Sequence, residues 1–188
     1  MEGWWGTMRI VTTPMCKGIL DIVGVRDYIV SRNPDSLDPD LAITLSETRT
    51  RSRAIRLKLN TFPQIKDSLS LVFETIKRLS PYKLKYGSFS EIKFTVCSPW
   101  WDKPQTLKEK NKNIKVKVYS NFLKDIIKDM GYTISKENPD YIVYPDYMQI
   151  KEDKKTVKVP SHYNLPLDPV KRALLRYRIL ENRLCMKH

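Results

Sequence analysis

Two cysteines stand where thiol chemistry can be placed. Cys16 and Cys97 each fall at or just past the carboxyl end of a predicted strand, each close to a proline, Pro14 and Pro99. If those strands are neighbours, two sulfurs share one sheet edge, a metal candidate pair able to hold a soft metal, an iron–sulfur species or a redox couple. No Cys-x-x-Cys is present, and two ligands leave a four-ligand set incomplete. A small buried residue at a tight turn is the competing reading, because unperturbed cysteine is among the most buried residue types. The two histidines, His162 and His188, sit in a connector and at the terminus. No Cys–His or Ser–His pair is therefore predicted, and no catalytic residue is assigned.

Hydroxyls and cations gather at the same kind of place. Thr12 and Thr13 close the first predicted strand ahead of Cys16 and Lys17, and Ser46 and Glu47 close the third. Ligands of open α/β sheets collect beyond the carboxyl ends of strands, which makes these six residues the ligand-binding candidates. Backbone amides after Thr13 together with Lys17 suit a phosphate, although every βα unit offers such amides. With six glycines and neither Gly-x-Gly-x-x-Gly nor a Walker loop, the sequence names no cofactor. Asp40, Glu47, Asp140 and Asp146 would hold a hard cation if gathered, but aspartates opening strands are usually turn residues or caps.

Arg49, Arg51, Arg53 and Arg56, with Trp100 and Trp101 as stacking platforms, suit an RNA or nucleotide-bearing surface. Arg172 and Arg176, on a C-terminal helix, complete the candidates for binding an anion or a partner. The blander reading is a solvated basic loop and a half-buried tryptophan pair.

The elements that must position these residues follow from periodicity. Ile10–Val11 before Thr-Thr-Pro reads as a strand, and Ile19, Leu20, Ile22 and Val23 as a short helix closed by Gly24. Residues 27–30 and 40–45 read as further strands, the latter buried on both faces. Residues 54–59 alternate, which predicts a half-buried strand at an edge or antiparallel. Residues 63–79 form an amphipathic helix with Ile65, Leu69, Val72, Phe73, Ile76 and Leu79 as its core stripe. A strand is predicted over 92–97, and an exposed loop or helical turn over 105–113. The opening pattern then returns: strand 114–119, helix 121–130, short strand 132–134, and a loop and strand over 138–146. Gly131 falls on Gly24 and Asp140 on Asp40. The predicted fold is α/β and Rossmann-like, a mainly parallel sheet from two similar βαβ halves plus a C-terminal helical arm. Its divisions are a tail over 1–7, an α/β domain over 8–150, and a basic linker and amphipathic helix over 151–188. The helix, from 170 to 186, carries an apolar face that docks most simply on its own domain; its basic residues fall largely off that face.

Composition sets the outer limits. The 188 residues are enough for a core without metal or disulfide staples. No run of 18 apolar residues suggests a membrane span. The first residues lack the basic-then-apolar pattern of a signal peptide, and Met8 is placed as an alternative start that leaves Trp4 and Trp5 on a tail. Three cysteines are too few for a secreted framework, so a reducing cytoplasm is expected. Net charge is +13, from 34 Lys and Arg against 21 Asp and Glu, which favours an anionic partner. A lysine-rich surface of the kind found in heat-adapted proteins is the alternative.

Three stretches carry a family resemblance: Arg-Ile-Val-Thr-Thr-Pro-Met-Cys from Arg9, Pro-Asp-Leu-Ala-Ile-Thr-Leu-Ser-Glu from Pro39, and Asn-Pro-Asp-Tyr-Ile-Val-Tyr-Pro-Asp from Asn138. Together they resemble the methanogenesis marker protein 5 family over about residues 8–148, leaving the basic C-terminal arm outside. The resemblance implies a cytoplasmic protein of a methanogenic archaeon, and by association a role around methyl-coenzyme M reductase, its maturation or its cofactors. It brings no catalytic residues. More remotely, strand–helix–Gly–Val followed by Pro-Asp-Leu-Ala-Ile is similar to metal and corrinoid receptor domains with Rossmann-like halves. The expected function is an accessory protein, not an enzyme, that binds a partner protein or a cofactor. A thiol-dependent enzyme or metal or cluster carrier using Cys16 and Cys97 is one alternative, and an RNA-binding module the other.

Overall fold

Short β-branched runs supply the strands of two successive α/β units. A computed structural model describes residues 8–92, 99–102, 105–161 and 165–184. Unit 1 comprises Met1–Leu59, Gln64–Thr95 and Leu167–Pro169; unit 2 comprises Asn60–Pro63, Val96–Pro166 and Val170–His188.

In unit 1, β1 (Ile10–Thr12) leads through α1 (Lys17–Val23) to β2 (Tyr28–Val30). A 3-10 turn over Pro34–Leu37 precedes β3 (Leu41–Leu45), and β4 (Ala54–Leu57) follows. The four strands are parallel in the order β2-β1-β3-β4. Central β1 and β3 are apolar except for the buried Thr12 and Thr44, and are buried on both faces, as parallel strands between covering layers must be. β4 alternates because it lies at the edge, paired in parallel with β3 alone, so the antiparallel option fails. Helix α2 (Phe62–Leu79) buries Ile65, Leu69, Val72, Phe73 and Ile76.

In unit 2, α3 (Pro99–Asp102) and α4 (Gln105–Asn111) precede β5 (Lys115–Val118). Then come α5 (Asn121–Asp129), β6 (Thr133–Ile134), β7 (Tyr141–Pro145), β8 (Thr156–Val159) and α6 (Pro169–Leu184). The order β6-β5-β7-β8, again all parallel, repeats that of unit 1. Ser120 caps α5, its side chain accepting from the Leu123 amide.

The duplication extends to single hydrogen bonds. Asp40 accepts the Arg9 amide at 2.6 Å, and Asp140 accepts the Lys115 amide at 2.9 Å, so both predicted aspartates tie the start of a central strand. Gly24 and Gly131 end α1 and α5 with φ of 76° and 85°. The amide after each glycine reaches back to the carbonyl five residues earlier, Val25 to Leu20 and Tyr132 to Ile127, which is the Schellman closure. Ser31 and Ser135 follow β2 and β6, and each hydroxyl bonds the carbonyl two residues on. Both connections into the edge strand, residues 46–53 and 146–155, are made without a helix.

Four expectations change. The single domain over 8–150 with a 151–188 appendage is two units, because each half completes its own four-stranded sheet. The stretch taken as linker contains β8, whose Thr156, Val157 and Val159 are buried while the preceding lysines are exposed. Of the loop or helical turn expected over 105–113, the loop is excluded: residues 105–111 form an α-helix. Arg172 and Arg176, expected off the packed face of α6, are buried in it. The strand expected over 92–97 lies, apart from Ile92, outside the described residues. So do Trp4, Trp5, Cys97, Cys185, His162 and His188. Among the described residues no helix is long and apolar enough to cross a membrane.

Candidate binding edges of the two units

The carboxyl ends of β1 and β3 bring several of the predicted residues of unit 1 to one edge. Thr12 is buried, and its hydroxyl is used at 2.9 Å on the Ile43 carbonyl, so it braces the sheet. Thr13 extends the β1–β3 register: Thr12 pairs with Ile43, and the Thr13 amide bonds the Ile43 carbonyl at 3.3 Å. Thr44, one further along β3, pairs with Arg56 of β4. Thr13, Thr44 and Arg56 therefore stand in a row on one face, since registered parallel residues share a face. The Thr13 and Thr44 hydroxyls are buried and have no hydrogen-bond partner among the described residues. Arg56 donates to the Thr48 carbonyl at 2.7 Å. The sequence missed Thr44 because it sits mid-strand; its pairing with Arg56 becomes visible only once β3 and β4 are aligned.

The remaining candidates of unit 1 divide. Cys16 is fully buried at the residue before α1, as the structural reading of a cysteine at a turn requires. Lys17 turns along its own helix to Asp21 at 2.6 Å, and that hydrogen bond raises its pKa; Asp21 also accepts from the Tyr28 hydroxyl. Ser46 donates to Glu47 at 2.8 Å, and both stay at the exposed mouth of β3. Arg49, Arg51 and Arg53 are exposed on the loop that follows.

Unit 2 builds the equivalent edge from larger groups. The Tyr119 amide bonds the Val143 carbonyl at 3.2 Å, as Thr13 does Ile43, so Tyr119 takes the place of Thr13. Counting from the paired aspartates, Tyr144 takes the place of Thr44 and Tyr147 that of Glu47, while Lys158 pairs with Tyr144 as Arg56 does with Thr44. Tyr119 is 42% and Tyr147 62% exposed. The Lys117 ammonium lies 5.3 Å from the Tyr119 ring centre, a cation–π contact that orients the ring. Neither tyrosine was among the sequence candidates, although superposing the two repeats points to both.

Behind this edge lie the two arginines expected to bind a partner. Arg172 is 1% and Arg176 4% exposed. Arg176 donates Nε to the Pro160 carbonyl at 3.0 Å and a second guanidinium nitrogen to the Ser161 carbonyl, and lies 4.7 Å over the Phe122 ring. Arg172 donates to the Pro166 carbonyl at 3.2 Å. Asp146 accepts the Ser161 amide at 3.0 Å and its hydroxyl. Burial, reinforced by the Arg172 charge, lowers the Arg176 pKa to about 10, against the opposing pull of Asp146. These two side chains hold the connector onto α6 and are not a free anion-binding surface.

Trp100 is buried and Trp101 half-buried. Trp101 packs edge-on to Phe62 at 5.6 Å between ring centres, and Trp100 lies 5.9 Å from Tyr177. Both belong to an aromatic core, not a stacking platform. An open groove of about 540 Å³ runs beside β8 and α6, where Glu152 and Lys158 pair at 3.4 Å and Arg183 meets the Thr156 carbonyl. Among the described residues no group of three or more His, Cys, Asp or Glu is gathered to hold a metal ion.

No protein-family model and no curated protein matches the sequence. The fold does have solved counterparts. A periplasmic metal-binding protein from Candidatus Liberibacter asiaticus aligns with a TM-score of 0.58 at 8% identity, over 94% of this chain and 99% of that chain. A metal-free form of a single-residue variant of that protein gives 0.58 at 7% identity, and the Cd-bound form of the protein without that substitution gives 0.56 at 8%, each over the same shares of both chains. At such identities the likeness shows the fold alone: a Rossmann-like α/β architecture.

Proposed function

We propose that the chain is a non-catalytic binding protein, an accessory factor that recognises a partner protein or a small ligand at the carboxyl edges of its sheets. The observation behind this reading is a repeated scaffold whose edges have diverged. Asp40 and Asp140, and Gly24 and Gly131, are kept in both units, while Thr13, Thr44 and Glu47 become Tyr119, Tyr144 and Tyr147. The exposed Tyr147, and Tyr119 beside Lys117, are recognition groups, with apolar area, a hydrogen-bonding tip and little side-chain entropy to lose. The resemblance to methanogenesis marker protein 5 supports a place in the cytoplasm of a methanogen, in the service of methyl-coenzyme M reductase or its maturation.

The test is recovery of the tagged protein from a methanogen's extract beside a Tyr119→Ala/Tyr147→Ala variant. A stoichiometric companion, protein or small molecule, that the variant loses supports the proposal. Recovery of nothing, or of companions the variant keeps, overturns it.

A second reading, metal carriage, draws on the fold shared with solved metal-binding proteins and on Cys16 before α1. It predicts stoichiometric metal after purification without oxygen, lost in a Cys16→Ser variant. An empty protein sinks it.

A further inference from the structure

The connection from β3 to β4 offers a surface of a different kind, independent of the carboxyl-edge reading. Parallel crossovers usually need a dozen or more residues and a helix; residues 46–53 use neither. One carboxylate takes the helix's place as support. Asp35, in the 3-10 turn before β3, accepts from the Thr50 hydroxyl, from the Arg51 amide at 3.0 Å, and from the Ser52 amide at 3.2 Å and hydroxyl at 2.7 Å. These donors, the Thr50 hydroxyl foremost, hold Asp35 well below the usual carboxylate range. The Ser52 amide also reaches the Thr50 hydroxyl at 3.1 Å, closing the turn on itself.

Because Thr50 and Ser52 turn in to Asp35, the alternate residues are left outside. Arg49, Arg51 and Arg53 are all exposed, and none is in an ion pair among the described residues. The choice of cation is selective. Residues 46–56 hold four of the chain's 12 arginines and none of its 22 lysines. Arginine's planar fork suits bidentate anion recognition, where lysine is a point charge. The loop's sequence, Ser-Glu-Thr-Arg-Thr-Arg-Ser-Arg, has no apolar residue. Protein interfaces centre on an apolar core, whereas nucleic-acid interfaces are polar and strongly positive.

We propose that the Asp35-braced loop 46–53 is a preorganised binding site for the phosphate backbone of a nucleic-acid strand, with Arg49, Arg51 and Arg53 as the contacting residues. The brace separates this proposal from mere surface charge. Replacing Asp35 by alanine makes the protein one unit more positive, so diffuse electrostatics calls for equal or tighter binding; a preorganised site calls for weaker binding.

Fluorescence anisotropy with labelled oligouridylate and oligothymidylate, across a salt series, tests it. The expected result is binding whose salt slope falls by about 2 in the Arg49→Gln/Arg51→Gln/Arg53→Gln variant, at about 0.7 per phosphate contact, with affinity down on the order of tenfold. Asp35→Ala should bind several-fold more weakly; should that variant fail to fold, the exposed arginine replacements decide alone. A control of equal charge change, Lys151→Gln/Lys154→Gln/Lys155→Gln on the corresponding loop of unit 2, should bind as the unaltered protein does. A preference between the two oligonucleotides assigns the strand as RNA or DNA. The proposal is overturned by absence of binding, by equal losses in the arginine and lysine variants, by unweakened binding in a folded Asp35→Ala protein, or by polyglutamate binding as tightly at the same arginines.

Discussion

Gly24 and Gly131 occupy one structural position in two repeats, each closing a helix in the left-handed region, yet their surroundings differ. A Cβ at Gly24 would meet the Tyr86 ring at 2.7 Å, whereas at Gly131 it would meet the Cα and carbonyl oxygen of Lys108 at 2.6 Å. A ring can rotate away; backbone cannot. Both alanine variants incur the left-handed penalty of about 1–2 kcal/mol. Gly131→Ala adds overpacking of about 1–3 kcal/mol. Urea unfolding should therefore show Gly131→Ala clearly less stable than Gly24→Ala, and equal losses would contradict the backbone contact.

Arg176 shows what a buried guanidinium does when its partners are carbonyls. Removing it in Arg176→Ala leaves the Pro160 and Ser161 carbonyls without their donor and uncovers the Phe122 ring, at a cost of about 3 kcal/mol. Arg176→Lys should recover little of this, since one ammonium cannot reproduce the fork and the ring contact together. Denaturant midpoints of the two variants measure it, and a lysine variant as stable as the parent would refute the fork.

How much of this was legible in the sequence depends on how far each interaction reaches. The paired glycines and strand-opening aspartates were visible because they belong to local patterns that repeat. The burial of Arg172 and Arg176 was not: basic residues one helical turn apart look solvent-facing until the connector carbonyls come into place. The bracing role of Asp35 was not legible either, because its donors lie 15 to 17 positions ahead. Strand β8 was hidden by the lysine run before it, and Thr44 by the apolar strand around it.

Tyr177 sets the alkaline limit. Its hydroxyl donates to Asp129 within the aromatic core, and burial first, then the Asp129 charge, raises its pKa far above the ordinary tyrosine value near 10. Above that ordinary value the unfolded chain loses the proton while the folded one keeps it, so this contribution is complete below about pH 10 and declines as pH rises. The slope approaches about 1.4 kcal/mol per pH unit for one proton. Tyr177→Phe should be less stable by about 1 kcal/mol at neutral pH and lose stability less steeply between pH 10 and 11. Parallel slopes in urea titrations would show that the proton leaves in the folded state too.

Asp35 sets an acid limit with the opposite sign. Its folded pKa is depressed, so its contribution is complete above the ordinary aspartate value near 4 and is lost as pH falls below it. Thermal melts at pH 6, 4 and 3 should converge for the parent and Asp35→Ala as acid removes what the mutation has already removed. A constant gap across the series would mean that the loop is held by something other than the carboxylate.

Thr12, Thr13 and Thr44 form an internal control for the unit 1 edge. Thr12 has its hydroxyl bonded to the Ile43 carbonyl, and Thr12→Val should cost about 1 kcal/mol. The Thr13 and Thr44 hydroxyls are buried without a hydrogen-bond partner among the described residues, and replacing an unsatisfied hydroxyl by a methyl of the same shape is neutral or stabilising. Thr44→Val should therefore hold or raise the urea midpoint while Thr12→Val lowers it. If Thr44→Val is instead destabilising by a similar amount, its hydroxyl has a bound water or ligand in solution. The row Thr13–Thr44–Arg56 then becomes the place to look for it, since Arg56 stands next along the same face.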